Sequence, residues 1–362
     1  MRLMLERVDA WCRRGDYTVA DFAWYRIIYG VIALLGLREY GTIATQPAAQ
    51  FDPPPGPIML FGSIPPRAAL EALEIAVAVL VVFLIMGFKT KAVSLLLATG
   101  LMIGAGLSFS FGKIDHGIFV VLVPAVMAFS GWGGTRSVDA HLAARSGRPA
   151  IEPSQWPVRL LGFMIGLSFL TAGWAKLTSG WLDPSTHAAR GHFVEKYVSA
   201  GRDDFLAPLF LRIHDVGLLW EALDWFTVAL ECGVVIAVLW WRALRIMVAF
   251  AALFHLGVLL MMNIQFSANT IAYGAFVRWG LVLPSGSGSA LRLNQPMATV
   301  LGVGLGAGIY ALNNTGPGDY IPSIGGTRLL FAGALVAVVF LVGQAWLGLR
   351  TIRRRTRSSA PA

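Results

Sequence analysis

Residues 68–110 read AALEALEIAVAVLVVFLIMGFKTKAVSLLLATGLMIGAGLSFS. Two apolar runs, 68–88 and 91–110, are parted only by Lys89 and Thr90. Each has about the 20 residues a helix needs to cross bilayer hydrocarbon. In lipid such a helix needs no polar partner, because it satisfies its own backbone groups. The same reading applied outward gives about ten spans: 20–38, 68–88, 91–110, 116–133, 157–178, 217–241, 243–263, 268–284, 296–313 and 329–349. The stretch 268–284 carries Arg278 and ends at Pro284, and 296–313 is rich in glycine. The expected fold is therefore all-α, a polytopic transmembrane helix bundle occupying 1–362 as a single domain.

Composition supports this. Of 362 residues, 56% are hydrophobic and only 14% charged, against about 25% charged in ordinary soluble domains, and the mean hydropathy is +0.65. A soluble protein could not cover its surface with so few charges. The net charge of +9 does not indicate a nucleic-acid partner, because the basic residues are spread among short loops and a tail. The two cysteines, Cys12 and Cys232, form no Cys-x-x-Cys motif, which argues against thiol exchange and cysteine-rich metal sites.

Lys and Arg sort about two to one onto one side of the proposed membrane, which places both termini in the cytoplasm. The protein is expected in the cell membrane as a multi-pass chain, with residues 350–362 a basic cytoplasmic tail facing anionic lipid. Two outer loops stand out. Residues 39–67 hold Pro53, Pro54, Pro55, Pro57, Pro65 and Pro66, so a stiff extended segment is expected. Within 180–216, Phe205, Leu206, Leu209, Phe210 and Ile213 fall at helical spacing and predict an amphipathic helix on the outer membrane surface.

Charges in hydrocarbon cost about 2.5–3.5 kcal/mol each on insertion scales, so they face partners or a wet cavity. This chain keeps Arg26, Glu71, Glu74, Lys176, Glu221, Asp224, Glu231, His255 and Arg278 in its apolar segments. Arg26, Glu71, Glu74, Glu231 and Arg278 read best as charges that pair across helices. The orientation carries Asp115, His116, Lys176, Glu221, Asp224 and His255 to the outer half of the membrane, where a lysine among carboxylates and imidazoles can form an acid–base site. Asn263 lies two turns beyond His255 on the same helix face. Trp174 and Trp181 sit beside Lys176 and could flank a ring, or mark the interface. His187, His192 and Glu195 match none of the strong metal spacings, and no metal site is expected.

The local strings add a resemblance. Residues 134–142 read GTRSVDAHL, 156–161 read WPVRLL, and 171–183 read TAGWAKLTSGWLD; Phe254-His255 and Phe266-Ser267 follow. Together these resemble the HTTM domain family, the membrane region related to vitamin K-dependent gamma-glutamyl carboxylase, most clearly over 107–284. The resemblance implies a reduced quinone of the vitamin K or menaquinone type as cofactor, oxidised to its epoxide. The strong base so formed takes a proton from a carbon acid. Lys176 stands where the family's proton-accepting lysine is expected. Asp115-His116 resembles an Asn-His pair near the quinone pocket, and His255 resembles another pocket histidine. Trp174, Trp181, Glu221, Asp224 and Asn263 would line the cavity. The carboxylase carries a large lumenal domain after its membrane region; here only a basic tail follows the last span. Quinol deprotonation and oxidation are therefore expected rather than carboxylation of protein glutamate. A transporter, or a helper subunit for a secreted peptide or membrane partner, is the alternative. Lipid and quinol are expected partners, nucleic acid is not.

Overall fold

A computed structural model describes residues 2–37, 39–199, 207–283, 296, 299–300, 302–306 and 326–358. The described residues form helices and turns with no strand. Six helical stretches are long and apolar enough to cross a membrane: Val19–Thr45, Arg67–Met86, Thr90–Phe109, Trp156–Thr178, Trp241–Met262 and Thr327–Trp346.

The other expected spans differ in form. The stretch 116–133 holds a ten-residue helix, Ile118–Met127, with Pro124 inside it. The stretch 217–241 is a helix of 21 residues, Gly217–Ala237, that carries Glu221, Asp224 and Glu231. Residues 268–284 are not one helix. They break into Ser267–Tyr273, a 3-10 turn Gly274–Phe276 and Trp279–Val282. Gly274 packs against the Tyr25 ring, and Arg278 turns away to meet Asp16 and Asp21. Most of 296–313 lies outside the described residues, as do Phe205 and Leu206 of the expected amphipathic helix. The proline-rich segment 39–67 is three short 3-10 turns, Tyr40–Thr45, Ala48–Gln50 and Pro57–Leu60, linked by extended residues.

The chain divides into two compact units. One comprises Met1–Leu161 with Gly274–Gly325, the other Gly162–Tyr273 with Gly326–Ala362.

The first unit is built on α1 (Arg2–Arg13), α2 (Val19–Leu35), α3 (Arg67–Met86), α4 (Thr90–Phe109), α5 (Ile118–Met127) and α6 (Val138–Arg145). A capping box opens α2: the Thr18 hydroxyl accepts from the Asp21 amide at 3.2 Å, and Asp21 accepts from the Thr18 amide at 2.7 Å. This satisfies two of the donors that a helix start leaves open. Its buried Arg26 donates to the carbonyls of Ile85, Trp132 and Arg136, so the expected cross-helix role is met by backbone oxygens rather than a carboxylate. Glu74 accepts from the Gly41 amide at 2.6 Å, and Glu71 pairs with Arg67.

The Ser-Val-Asp string has a mechanical role here. Ser137 caps α6 by accepting from the Ala140 amide at 2.9 Å. Asp139 grips the turn between α3 and α4, accepting from the amides of Lys89 (2.8 Å) and Thr90 (2.7 Å) and from the Thr90 hydroxyl (2.7 Å). Gly87 ends α3 at φ +65° in the left-handed region that glycine tolerates; a Cβ there would sit 2.3 Å from Ser137 Cβ.

The second unit takes α7 (Trp156–Thr178) from Gly162 onward. It adds α8 (Ala188–Ser199), α9 (Ala207–Arg212), α10 (Gly217–Ala237), α11 (Trp241–Met262), α12 (Ser267–Tyr273) and the last helix, Gly326–Ser358. Phe193 of α8 and Trp220 of α10 are fully buried against each other, with Phe210 of α9 packed on both. The loop expected to hold one amphipathic helix thus contributes two helices, whose aromatic residues pack onto this unit.

Candidate functional site

The site of interest starts from two glycines. At Gly166 of α7 an added Cβ would lie 2.7 Å from Val235 Cα, and at Gly173 it would lie 2.8 Å from Cys232 Sγ and 2.9 Å from Glu231 Cβ. Residue numbers rise along α7 as they fall along α10, so the two helices run antiparallel at close approach. Small residues allow such contact between membrane helices. Lys176 follows Gly173 by three residues and therefore shares its face. Its ammonium meets Glu231, with Nζ at 2.7 Å from both carboxylate oxygens. The side chains are 20% and 8% exposed, so the pair is largely withdrawn from solvent.

Beyond the end of α7 the chain turns back. The Trp181 ring lies 5.1 Å from Lys176 Nζ, and it stacks on His192 of α8 with centroids 5.2 Å apart. Asp183 closes this turn by accepting from the Ser185 hydroxyl (2.7 Å) and amide (2.9 Å), which hold its carboxyl below the usual carboxylate range. A shallow open cleft of about 300 Å³ runs along Ser179, Trp181, Thr186, Gly191, His192 and Glu195.

Asp224 does different work. It is fully buried, and its Oδ1 accepts from the Ala189 amide at 2.8 Å. The carboxylate thus caps α8 from a neighbouring helix and complements the positive end of its dipole. Asp224 Oδ2, Trp181 Nε1 and His187 Nδ1 are buried with no hydrogen-bond partner among the described residues.

His255 of α11 occupies an aromatic box. Its ring stacks on Phe266 at 4.2 Å and 10°, on Phe169 at 5.7 Å and 21°, and on Tyr273 at 5.9 Å and 15°. Phe254 adds a tilted contact at 5.5 Å. Nδ1 lies 3.3 Å from the Tyr273 hydroxyl, which in turn accepts from Asn269 Nδ2 at 3.5 Å.

The expected site residues therefore separate. Within the second unit, Lys176 and Trp181 come together, and Glu231 joins them although the sequence reading gave it only a structural part. Glu221 lies apart from the pair, accepting from Trp225 Nε1 at 2.8 Å one turn along its own helix. Trp174 is 63% exposed, as expected of a residue on the outward face of α7. Asn263 ends α11 at φ +52°, a conformation asparagine tolerates. Asp115 and His116 belong to the first unit, where Asp115 accepts from the Gly117 amide at 2.7 Å and both residues lead into α5. Tyr273 and Asn269 were not singled out from sequence. Their spacing of four on one helix was the available signal.

These features define a class: an all-α, multi-helix chain with membrane-spanning segments. Residues 16–277 match the HTTM domain model, and the chain belongs to that family. The match begins well before the clearest stretch of resemblance and runs through residues of both units. No curated protein and no solved structure matches this chain.

Proposed function

We propose that this HTTM protein accepts a proton from a membrane quinol, in carboxylase-like chemistry, with Lys176 and Glu231 acting as one acceptor. The reading takes the protein as a multi-pass chain of the cell membrane with cytoplasmic termini and access from the outer leaflet. One observation carries it: a lysine and a carboxylate held at 2.7 Å with both side chains largely buried.

Groups in such close contact bind protons as a pair rather than singly. The resting pair shares one proton. On receiving a second, it holds an ammonium beside a neutral carboxyl, and its gain of one positive charge balances the negative charge left on the donor. Lys176 supplies the nitrogen that meets the incoming proton, and Glu231 takes up the proton it already shared. The quinol supplies the acidic hydroxyl and the electrons. Carboxylation of protein glutamate is not part of the proposal.

The test uses purified protein in nanodiscs with reduced menaquinone and oxygen, followed by mass spectrometry for the epoxide. Epoxide is expected from wild type and is expected to fall at least tenfold in Lys176→Met. Folded protein that forms no epoxide, or a Lys176→Met variant that forms it at the wild-type rate, would overturn the reading. In the first case transport or a helper role would take its place.

A further inference from the structure

The first helix, α1, stands outside every membrane-spanning stretch and is two-faced. At helical spacing Met4, Leu5, Val8, Trp11 and Cys12 fall within an arc of about 120°, with Glu6, Asp9 and Arg13 on the other side. There Asp9 accepts from Arg13 at 3.0 Å. Met4, Leu5 and Val8 are 70%, 61% and 47% exposed, so the described residues leave this part of the arc open. Arg7 stands at its rim, between Leu3 and Trp11 on the helix surface. The segment carries Arg2, Arg7, Arg13 and Arg14 against Glu6 and Asp9, a positive balance.

The level of α1 is fixed at its far end, within the first unit. Gln155, just before α7, accepts from the Tyr17 amide at 3.3 Å and donates to the Tyr17 carbonyl at 2.9 Å. Arg159, in the first turn of α7, donates to the Arg14 carbonyl at 3.1 Å and lies 4.0 Å from the Trp11 ring. The elbow that joins α1 to α2 is thus strapped to the start of α7, and both membrane-spanning stretches begin there. Trp156, next to Gln155, packs on Phe129 at 5.7 Å, and Lys91 Nζ lies 4.8 Å from the Phe129 ring. Both rings are partly exposed. Exposed aromatic rings beside cations mark the depth of lipid headgroups. An open apolar arc held at that depth meets lipid rather than water.

We propose that α1 is an interfacial helix that lays Met4, Leu5 and Val8 on the bilayer and takes the phosphate of an anionic phospholipid at its Arg7 rim. An arginine stem can lie along apolar surface while its head reaches the phosphate. The positive balance of the segment selects anionic over zwitterionic lipid, because each basic residue near an anionic surface strengthens binding about fivefold. The same balance works against a second copy of the chain as the cover, since two such helices would repel. This surface is separate from the Lys176–Glu231 pair and does not depend on quinol chemistry.

The experiment is electron paramagnetic resonance on the full-length protein, spin-labelled at Val8→Cys or Glu6→Cys in a Cys12→Ala, Cys232→Ala background. The nanodiscs hold phosphatidylcholine alone or mixed with phosphatidylglycerol. In mixed discs the Val8 label is expected to be relaxed by oxygen and shielded from an aqueous nickel chelate, and the Glu6 label the reverse. Arg7→Gln is expected to lower the ratio of immersed to free Val8 label about fivefold in mixed discs and to leave it unchanged in phosphatidylcholine. A Val8 label as open to nickel as the Glu6 label puts α1 in water. One shielded from both reagents puts it under protein. Equal immersion in the two kinds of disc removes the anionic preference. Each of these results overturns the proposal. If the cysteine-free background does not fold, a photo-crosslinking residue at Val8 in the otherwise native chain decides: captured phospholipid supports the proposal, and captured protein or no lipid refutes it.

Discussion

Replacing Gly173 with alanine tests whether close helix approach creates the Lys176–Glu231 pair. The new methyl would start 2.8 Å from Cys232 Sγ, 2.9 Å from Glu231 Cβ and 3.2 Å from the Cys232 amide nitrogen. Carbon atoms rest at about 3.5–4.0 Å from their neighbours, so α7 and α10 must part by up to roughly 1 Å. Overpacking of this kind costs about 1–3 kcal/mol. Alanine also returns about 0.5–1 kcal/mol through its better helix propensity. The balance is a net loss of up to about 2.5 kcal/mol. The separation would also stretch an ion pair now at 2.7 Å towards the roughly 3.5 Å at which hydrogen bonding lapses. Unfolding by denaturant titration in detergent, together with epoxide formation, would report both effects. Adding Cys232→Ala removes the sulfur contact and should recover part of the loss, leaving the Glu231 and backbone contacts in place. A Gly173→Ala protein at least as stable as wild type would show that propensity alone governs the site and that the close approach is not under strain.

Three further substitutions discriminate between roles. Lys176→Met alone strands a carboxylate that is 8% exposed and should cost about 3–5 kcal/mol, whereas Lys176→Met with Glu231→Leu should recover most of that in the same unfolding assay. Asp139→Ala removes all three acceptor contacts to the α3–α4 turn and should cost on the order of 3 kcal/mol, since hydrogen bonds to charged groups contribute about 1.5–3 kcal/mol each without adding fully; Thr90 amide hydrogen exchange should accelerate with it. Asp224→Ala uncaps α8 at a cost of about 0.5–2 kcal/mol, seen as faster exchange at Ala189; unchanged exchange would remove the cap from the account.

The helical class was legible because an apolar run of about 20 residues has few other uses. The runs at 68–88 and 91–110 became α3 and α4 almost to the residue. What escaped was set by tertiary contact. Glu221, Asp224 and Glu231 lie on one stripe of α10, and the orientation argument favoured Glu221 and Asp224 for the site while Glu231 was read as a charge that pairs across helices. Helical side chains lean towards the N-terminus of their helix. Lys176 therefore leans back along α7, and antiparallel α10 presents Glu231 there, two turns beyond Asp224. The box around His255 draws on α7, α11, α12 and the turn at Phe266, a gathering no periodicity reveals. The break in 268–284 was partly announced by Gly274, Arg278 and Pro284, but an apolar average concealed it. The helix at 188–199 was missed because its start is fixed by Asp224, a residue 35 positions away from Ala189 in sequence.

The clamp at Asp139 also has a place in time. It closes across 50 residues to Lys89, so α3 and α4 can both leave the ribosome before their turn is fastened. At a synthesis rate of about 5–20 residues per second, the hairpin waits roughly 3–10 s for its latch. During that interval the two helices rely on lipid and on each other alone. A substitution at Asp139 would therefore act first on the newborn chain, as a longer exposure of an unfastened hairpin to the quality-control proteases of the membrane.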